Sequence, residues 1–224
     1  MRPWTLLGTA TVPGEGAPLR LMQRGDEFVI MAGTNPLMNS RMSGSEEDLA
    51  TLSWERIAGR KSPHILIGGL GMGFTLRAAL AVVPAEVRIT VAEIVPEIVA
   101  WARGPLAHIF GGCLNDPRVT IAVDDVGRLI AQHKTAYDAI LLDVDNGPEG
   151  LSRDGNDRLY SLSGLSKARA ALKPGGMLAV WSAHPDAKFT RRLRETGFRV
   201  EEIGVRERHG KKGARHTIWL ASRR

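Results

Sequence analysis

The sequence predicts an α/β fold: a doubly wound, mostly parallel seven-stranded sheet that closes with an antiparallel C-terminal hairpin, preceded by a small N-terminal β-hairpin extension. Three observations predict it. From His64 onward, short apolar runs alternate with helical stretches, the pattern of a parallel sheet covered on both faces. The first run, His64-Ile-Leu-Ile-Gly68, passes directly into a glycine-rich turn, Gly69-Leu-Gly-Met-Gly73, that opens a helix. The last two runs flank a Lys/Gly-rich loop at 209–213 and read as a hairpin.

Residues 1–44 are expected to form the extension and residues 45–224 the main unit. Apolar runs at 19–22 and 28–32 flank the turn Arg24-Gly25-Asp26, and Asn35-Pro36 ends the second strand. Residues 37–45 impose few structural demands. Ser45, followed by Glu46, Glu47 and Asp48, marks a helix N-terminus with its cap and first-turn acids. That helix runs to about residue 58, with Leu49, Leu52, Trp54 and Ile57 as its apolar contacts, and 59–63 ends it. Strands follow at 64–68, 87–93, 119–123, 137–143 and 177–182. Helices lie between them at 74–83, 96–103, 126–133 and 158–172, with a turn at 173–176. Pro96 suits a first helical turn. A helix at 186–196 leads to the hairpin strands at 198–206 and 214–222.

The chain has 224 residues, 43% hydrophobic and 24% charged, which suits a single globular unit with an extension. Its one cysteine, Cys113, excludes an intrachain disulfide and a cysteine-based zinc site and reads as a small buried apolar residue. No apolar run reaches the length of a membrane span. Thr5 and Gly8 interrupt the faintly signal-like start, so a cytoplasmic protein without membrane contact is expected. The net charge of +6 is local: residues 191–224 hold 11 Lys/Arg against 4 Asp/Glu. Charge alone is a non-specific signal, and aromatic residues are sparse there, so nucleic acid is not the expected partner.

In an open parallel sheet, ligands sit beyond the carboxyl ends of the strands. The residues that follow each expected strand are therefore the candidates. Gly69, Gly71 and Gly73 follow the first, where missing side chains let the backbone approach a ligand. Glu93 closes the second, twenty residues after Gly73, at the spacing of an acid that accepts hydrogen bonds from ribose hydroxyls. Asp124 and Asp125 follow the third, Asp143 and Asp145 the fourth, Ser182 and His184 the fifth. Each has a plainer role to set beside this one. The glycines could serve helix packing, Asp125 could cap the next helix, Asp145 could shape the Asp-Asn-Gly-Pro148 turn, and His184 could be a solvated loop residue. Asp143 resists such a reading, because it ends an apolar strand where an unpaired carboxylate is costly unless it faces a cleft. With Asp145 it makes an acidic pocket for a cationic group. The pair is too sparse for a metal, and none is expected. Nucleophile-elbow, zinc-protease and Walker A patterns are absent from the sequence.

The chain resembles the spermidine synthase (aminopropyltransferase) family, within the Rossmann-like class I S-adenosylmethionine-dependent methyltransferase fold. The resemblance rests on Ile67-Gly-Gly-Leu-Gly-Met-Gly-Phe-Thr-Leu-Arg77, Ala92-Glu93-Ile94, Asp116-Pro-Arg-Val119 leading to Asp124-Asp125, Tyr137-Asp-Ala-Ile-Leu-Leu-Asp143, Leu159-Tyr160-Ser161 and Leu172-Lys-Pro-Gly-Gly176. It covers about residues 60–182. It implies that Gly69, Gly71 and Gly73 underlie the methionine and ribose part of a donor and that Glu93 holds the ribose. It implies further that Asp124 and Asp125 border the adenine, with Asp125 toward its amino group, and that Asp143, with Asp145, positions and deprotonates an attacking amine. The co-substrate implied is S-adenosylmethionine or its decarboxylated form; the partners implied are a small-molecule amine acceptor and a second copy of the chain in a homodimer. The family's Tyr-His/Gln-Glu segment is replaced, Asp143-Val-Asp145-Asn-Gly-Pro148 stands for Asp-Ser-Ser-Asp-Pro, and Trp181 stands where glutamine is common. The expectation is a transferase acting on an amine-bearing acceptor without making genuine spermidine. The alternatives are a methyltransferase on a small molecule or RNA and a non-catalytic adenosyl-ligand binder.

Overall fold

The computed structural model describes residues 2–14, 17–144, 147–148, 158–207 and 213–224. An antiparallel four-stranded sheet runs in chain order through β1 (Thr5–Ala10), β2 (Leu19–Arg24), β3 (Glu27–Ala32) and β4 (Asn35–Asn39). The sequence predicts only the β2–β3 hairpin. β1 is an edge strand whose Leu6 and Leu7 are exposed, so it shows no inside–outside alternation to read. β4 carries Pro36, which the sequence reading takes as a strand end. At the sheet edge a residue without an N–H is tolerated, and Pro36 pairs there with Met31.

α1 (Gly44–Ile57) starts ahead of the expected Ser45. Ser43 takes the cap position and its Oγ donates to Glu47 Oε1 at 2.7 Å, while Ser45 is buried in the first turn. The chain then alternates through β5 (His64–Gly68), α2 (Phe74–Val82), β6 (Arg88–Glu93) and α3 (Pro96–Arg103). The short α4 (Ala107–Phe110) and a single 3₁₀ turn (Cys113–Asn115), neither expected, lead to β7 (Val119–Val123). There follow α5 (Val126–Gln132), β8 (Tyr137–Leu142), α6 (Leu162–Ala171), β9 (Leu172–Ser182), α7 (Ala187–Glu195), β10 (Phe198–Arg206) and β11 (Arg215–Arg223). The second sheet has seven strands in the order β10-β11-β9-β8-β5-β6-β7. β9 through β7 are parallel, and β11 and β10 are antiparallel, as the alternation and terminal hairpin predict. Most of the expected loop at 209–213 lies outside the described residues.

The turn expected at 173–176 is a bulge within β9. Tyr137 pairs with Leu172 and Ala139 with Met177, so the intervening residues loop out while the strand continues. A buried ionic knot fastens it: Asp138 meets Lys173 Nζ at 2.6 Å and Arg60 Nε at 2.5 Å and accepts the His64 N–H at 2.8 Å.

β5 shows how the layers form. Ile65 and Ile67 belong to one apolar cluster and Leu66 to the other, because alternate strand residues face opposite sides of the sheet. The first cluster also takes in Leu21, Phe28 and Ile30 from the four-stranded sheet and Leu49 and Ile57 from α1. The small sheet is thereby packed on the core of the large one, over the ends of the parallel strands. Among the described residues no helix is long and apolar enough to cross a membrane.

Candidate active site

The strand order reverses at β5. The chain proceeds to β6 and β7 on one side and to β8 and β9 on the other, and a crevice opens beyond the strand ends at such a point. The Gly69 turn after β5 and Asp143 after β8 meet there. Backbone bonds continue the ladder past the strands: Asp143 N donates to Gly68 O at 3.0 Å and Gly69 N to Ala92 O at 2.9 Å. Gly69, Gly71, Glu93, Asp124, Asp125 and Asp143 all line one cleft. Ile30, Leu37 and Met38 from the small sheet and Trp181 from β9 add apolar wall to it.

The three glycines divide their roles. All have φ in the left-handed region that favours glycine. A side chain on Gly69 would strike Asp143, and one on Gly71 would lie 2.8 Å from the end of Met38. Gly73 does not line the cleft. It caps α2, and a Cβ there would come within 2.4 Å of the Phe110 ring. The helix-packing role set beside the ligand role in the sequence fits Gly73, while Gly69 and Gly71 make close approaches to Asp143 and Met38 and face the cleft.

Glu93 is buried at the end of β6, and its carboxylate braces the glycine turn. Oε2 accepts the Leu70 N–H at 3.0 Å and Oε1 the Val95 N–H at 2.9 Å. Burial pushes its carboxyl above the usual range, against those amide bonds. The Gly71 and Ile94 amides also act on this carboxylate, which borders the cleft.

Asp125 caps α5, its Oδ1 accepting the Arg128 N–H at 2.8 Å, while the side chain also borders the cleft. Asp124 is tied to the Arg128 guanidinium, with 2.6 Å from Nε to Oδ1, and that bond holds its carboxyl below the ordinary value. Asp145 lies outside the described residues. His184 is an exposed loop residue whose carbonyl accepts from Ser182 Oγ at 2.8 Å, and its side chain is not among the lining groups.

Asp143 Oδ2 accepts from Thr75 Oγ1 at 2.5 Å, and burial pushes its carboxyl up to about 6. In the same cleft is Glu46, which the sequence reading takes only as a first-turn acid of the helix. Burial raises Glu46 to about 7, and the charge on Asp143 adds to the rise. The signal was present: Glu46 precedes Leu49, Ala50, Ser53 and Ile57, the buried residues of α1, at helical spacing. Glu46 is on the inward stripe. The two carboxylates therefore form the acidic end of the cleft, and Glu93 and Asp125 mark the other.

The profile of the spermine/spermidine synthase domain family matches residues 45–190. A polyamine aminopropyltransferase of Corynebacterium efficiens is 34% identical over 122 residues, which are 53% of this chain and 22% of that protein. The second polyamine aminopropyltransferase of Hyperthermus butylicus is 29% identical over 121 residues, 54% of this chain and 38% of that protein. The matched stretch thus spans less than half the length of these relatives. Among solved structures, spermidine synthase of Thermotoga maritima superposes with a TM-score of 0.77 at 17% identity, covering 98% of this chain and 73% of that one. A spermidine synthase in complex with the transition-state analogue AdoDATO gives 0.76 at 17% identity, covering 98% and 72%.

Proposed function

The chain belongs to the spermine/spermidine synthase domain family, and from that premise we propose that it transfers an aminopropyl group from decarboxylated S-adenosylmethionine to a small amine. The observation that carries this reading is the polarity of the cleft. Glu93 stands at one end, where a ribose would be held, and Glu46 and Asp143 stand together at the other. Two carboxylates favour ammonium and sulfonium groups and repel a carboxylate, so they favour the decarboxylated donor over the intact one.

The residues present fit such a donor. Gly69 and Gly71 offer bare backbone, Glu93 has oxygens able to accept from hydroxyls, and Asp125 borders the place for an adenine amino group. When bound, the donor supplies a carbon activated by the neighbouring sulfonium. Asp143, held by Thr75, orients the acceptor ammonium and takes its proton, and its raised pKa suits a base near neutral pH. The amine lone pair then forms the new C–N bond. The C–S bond breaks with its electrons left on sulfur as a neutral thioether, and one proton is released overall. Holding the two reactants in one cleft removes much of the entropic barrier. The wall of Ile30, Leu37, Met38 and Trp181 suits an acceptor with an aliphatic segment. With the family's Tyr-His/Gln-Glu segment replaced, that acceptor is an amine other than the one that yields spermidine.

The test is incubation with decarboxylated S-adenosylmethionine and a panel of monoamines, diamines and polyamines, following release of methylthioadenosine. Amine-dependent release is expected. Tight binding of the donor without release for any amine overturns the proposal. Release of S-adenosylhomocysteine from the intact donor points instead to methyl transfer.

A further inference from the structure

A chain of hydrogen bonds leaves the acidic end of the cleft through Glu46 and ends at a histidine. Ser45 is fully buried, and its Oγ donates to Glu46 Oε2 at 2.7 Å. His216 Nδ1, on β11, lies 2.9 Å from the same Oγ. The imidazole is set edge-on against Trp181, with ring centroids 4.8 Å apart and planes at 71°. On the other side, Thr75 Oγ1 joins Asp143 Oδ2 at 2.5 Å and lies 3.4 Å from Glu46 O. Glu46 and Ser45 of α1 and His216 of β11 thus form one side-chain thread, and Thr75 of α2 holds Asp143 beside it, next to the Glu46 main chain.

The chemistry of a hydroxyl makes this thread directional. Ser45 has one hydrogen to give. When it points to an ionised Glu46, its oxygen accepts the Nδ1–H of His216. When Glu46 is protonated, the order reverses: Glu46 donates to Ser45 and Ser45 donates to a bare Nδ1. The two arrangements differ by one proton moved from Glu46 to His216, carried by a double transfer through the Ser45 hydroxyl, which afterwards rotates to reset. The charged groups around the ring bear on where that proton rests. Glu207 favours the imidazolium, and His184 and burial oppose it. Glu207 and Asp143 both oppose ionisation of Glu46.

We propose that Glu46 is a second proton-handling carboxylate of the cleft and that Ser45 and His216 are positioning residues that carry its proton toward solvent. As applied to turnover, this rests on the aminopropyl-transfer reading, which releases one proton per reaction in the cleft. The acceptor ammonium gives that proton to the Asp143–Glu46 pair. Glu46 passes a proton to Ser45 Oγ as Ser45 passes its own to His216 Nδ1, and the half-buried ring loses a proton to water. Protons in and out are equal, and no oxidant, reductant or metal is required.

The experiment is a ¹⁵N NMR titration of His216 in the intact chain, run on the wild type, Ser45→Ala and Glu46→Gln. In the wild type the Nδ1 resonance is expected to change its donor/acceptor character over the range in which Glu46 titrates. Both variants should lose that step while the ring keeps a single simple titration. Identical His216 titrations in all three proteins overturn the relay. With turnover established, Ser45→Ala should lower kcat at least tenfold, leave the donor KM unchanged and become responsive to added imidazole buffer. An unaltered, buffer-independent kcat overturns the relay as well. If the titrations are coupled and no amine turns over, the relay stands and the transfer reading fails, so the two failures are distinct.

Discussion

The backbone carbonyl of Asp143 occupies the space a side chain on Gly69 would need: a Cβ there would lie 2.3 Å from it. The two residues follow neighbouring parallel strands, β5 and β8, at the point where the sheet order reverses. The glycine turn and the acid are therefore positioned by the same contact. Moving one displaces the other.

Gly69→Ala should consequently act on stability and on the site together. The alanine would have to hold φ near 91° and push against backbone that has no room to yield. Positive-φ strain and the displaced strand end should cost about 2 kcal/mol or more. Denaturant melts check the loss, and calorimetry with methylthioadenosine checks an accompanying drop in affinity. A variant as stable as the wild type refutes the argument.

Glu93→Gln preserves size and removes one of two acceptor oxygens. Its amide NH₂ would face a backbone N–H, either that of Leu70 or that of Val95. The unsatisfied bond costs about 1–3 kcal/mol, felt in the glycine turn and in ribose binding alike. Methylthioadenosine affinity should fall by about 5- to 150-fold, the equivalent of that energy. Unchanged affinity would remove Glu93 from the ribose role.

Asp125 combines a helix cap with a place on the cleft, and Asp125→Ser separates the two. Serine caps about as well as aspartate, so melting should shift by only a few tenths of a kcal/mol. The carboxylate is lost, so affinity for adenosyl ligands should fall about tenfold, roughly the value of one charge-assisted hydrogen bond. Unchanged affinity for methylthioadenosine in Asp125→Ser would leave Asp125 a helix cap alone.

The raised carboxyls of Glu46 and Asp143 set a pH dependence with a definite sign. A group whose folded pKa exceeds its unfolded value favours the folded state most below the unfolded pKa. That advantage is lost as pH rises through the folded value. Here the window runs from the ordinary carboxylate range to about 6 for Asp143 and about 7 for Glu46. Allowing for solvent at the cleft mouth, Glu46→Gln should gain on the order of 1–2 kcal/mol over the wild type between pH 4.5 and 7.5. Urea melts across that range decide it: the gap must widen with pH, and a constant gap refutes the coupling.

The parallel sheet was legible because its strands are short apolar runs bounded by glycine, proline and acids and separated by helical stretches; the central β5 and β8 are also buried on both faces. β5, β7 and α3 begin and end where the sequence places them. Legibility failed where burial is one-sided or absent. β1 exposes Leu6 and Leu7, and β4 contains a proline tolerated only because it lies on an edge. The bulge at 173–176 was read as a turn because local glycines look alike in both, and only the partner strand distinguishes them. That Gly69, Gly71, Glu93, Asp124, Asp125 and Asp143 share one cleft could be read from strand ends. Glu46 could not be read that way, because it reaches the site from a helix outside the alternation, and first-turn acids ordinarily face solvent.

Part of the cleft's apolar wall and the acids of its rim belong to different sheets. Ile30, Leu37 and Met38 come from the meander, while Asp143 and Glu93 stand on the parallel rim. If the chain transfers an aminopropyl group as proposed, substitutions in the first forty residues should change acceptor preference while leaving Asp143 and Glu93 untouched. For protein engineering this makes the meander an exchangeable cassette: libraries confined to β2–β4 should yield new amine selectivities at little cost to the proton chemistry. The same separation predicts that natural variation in acceptor choice accumulates in the meander first.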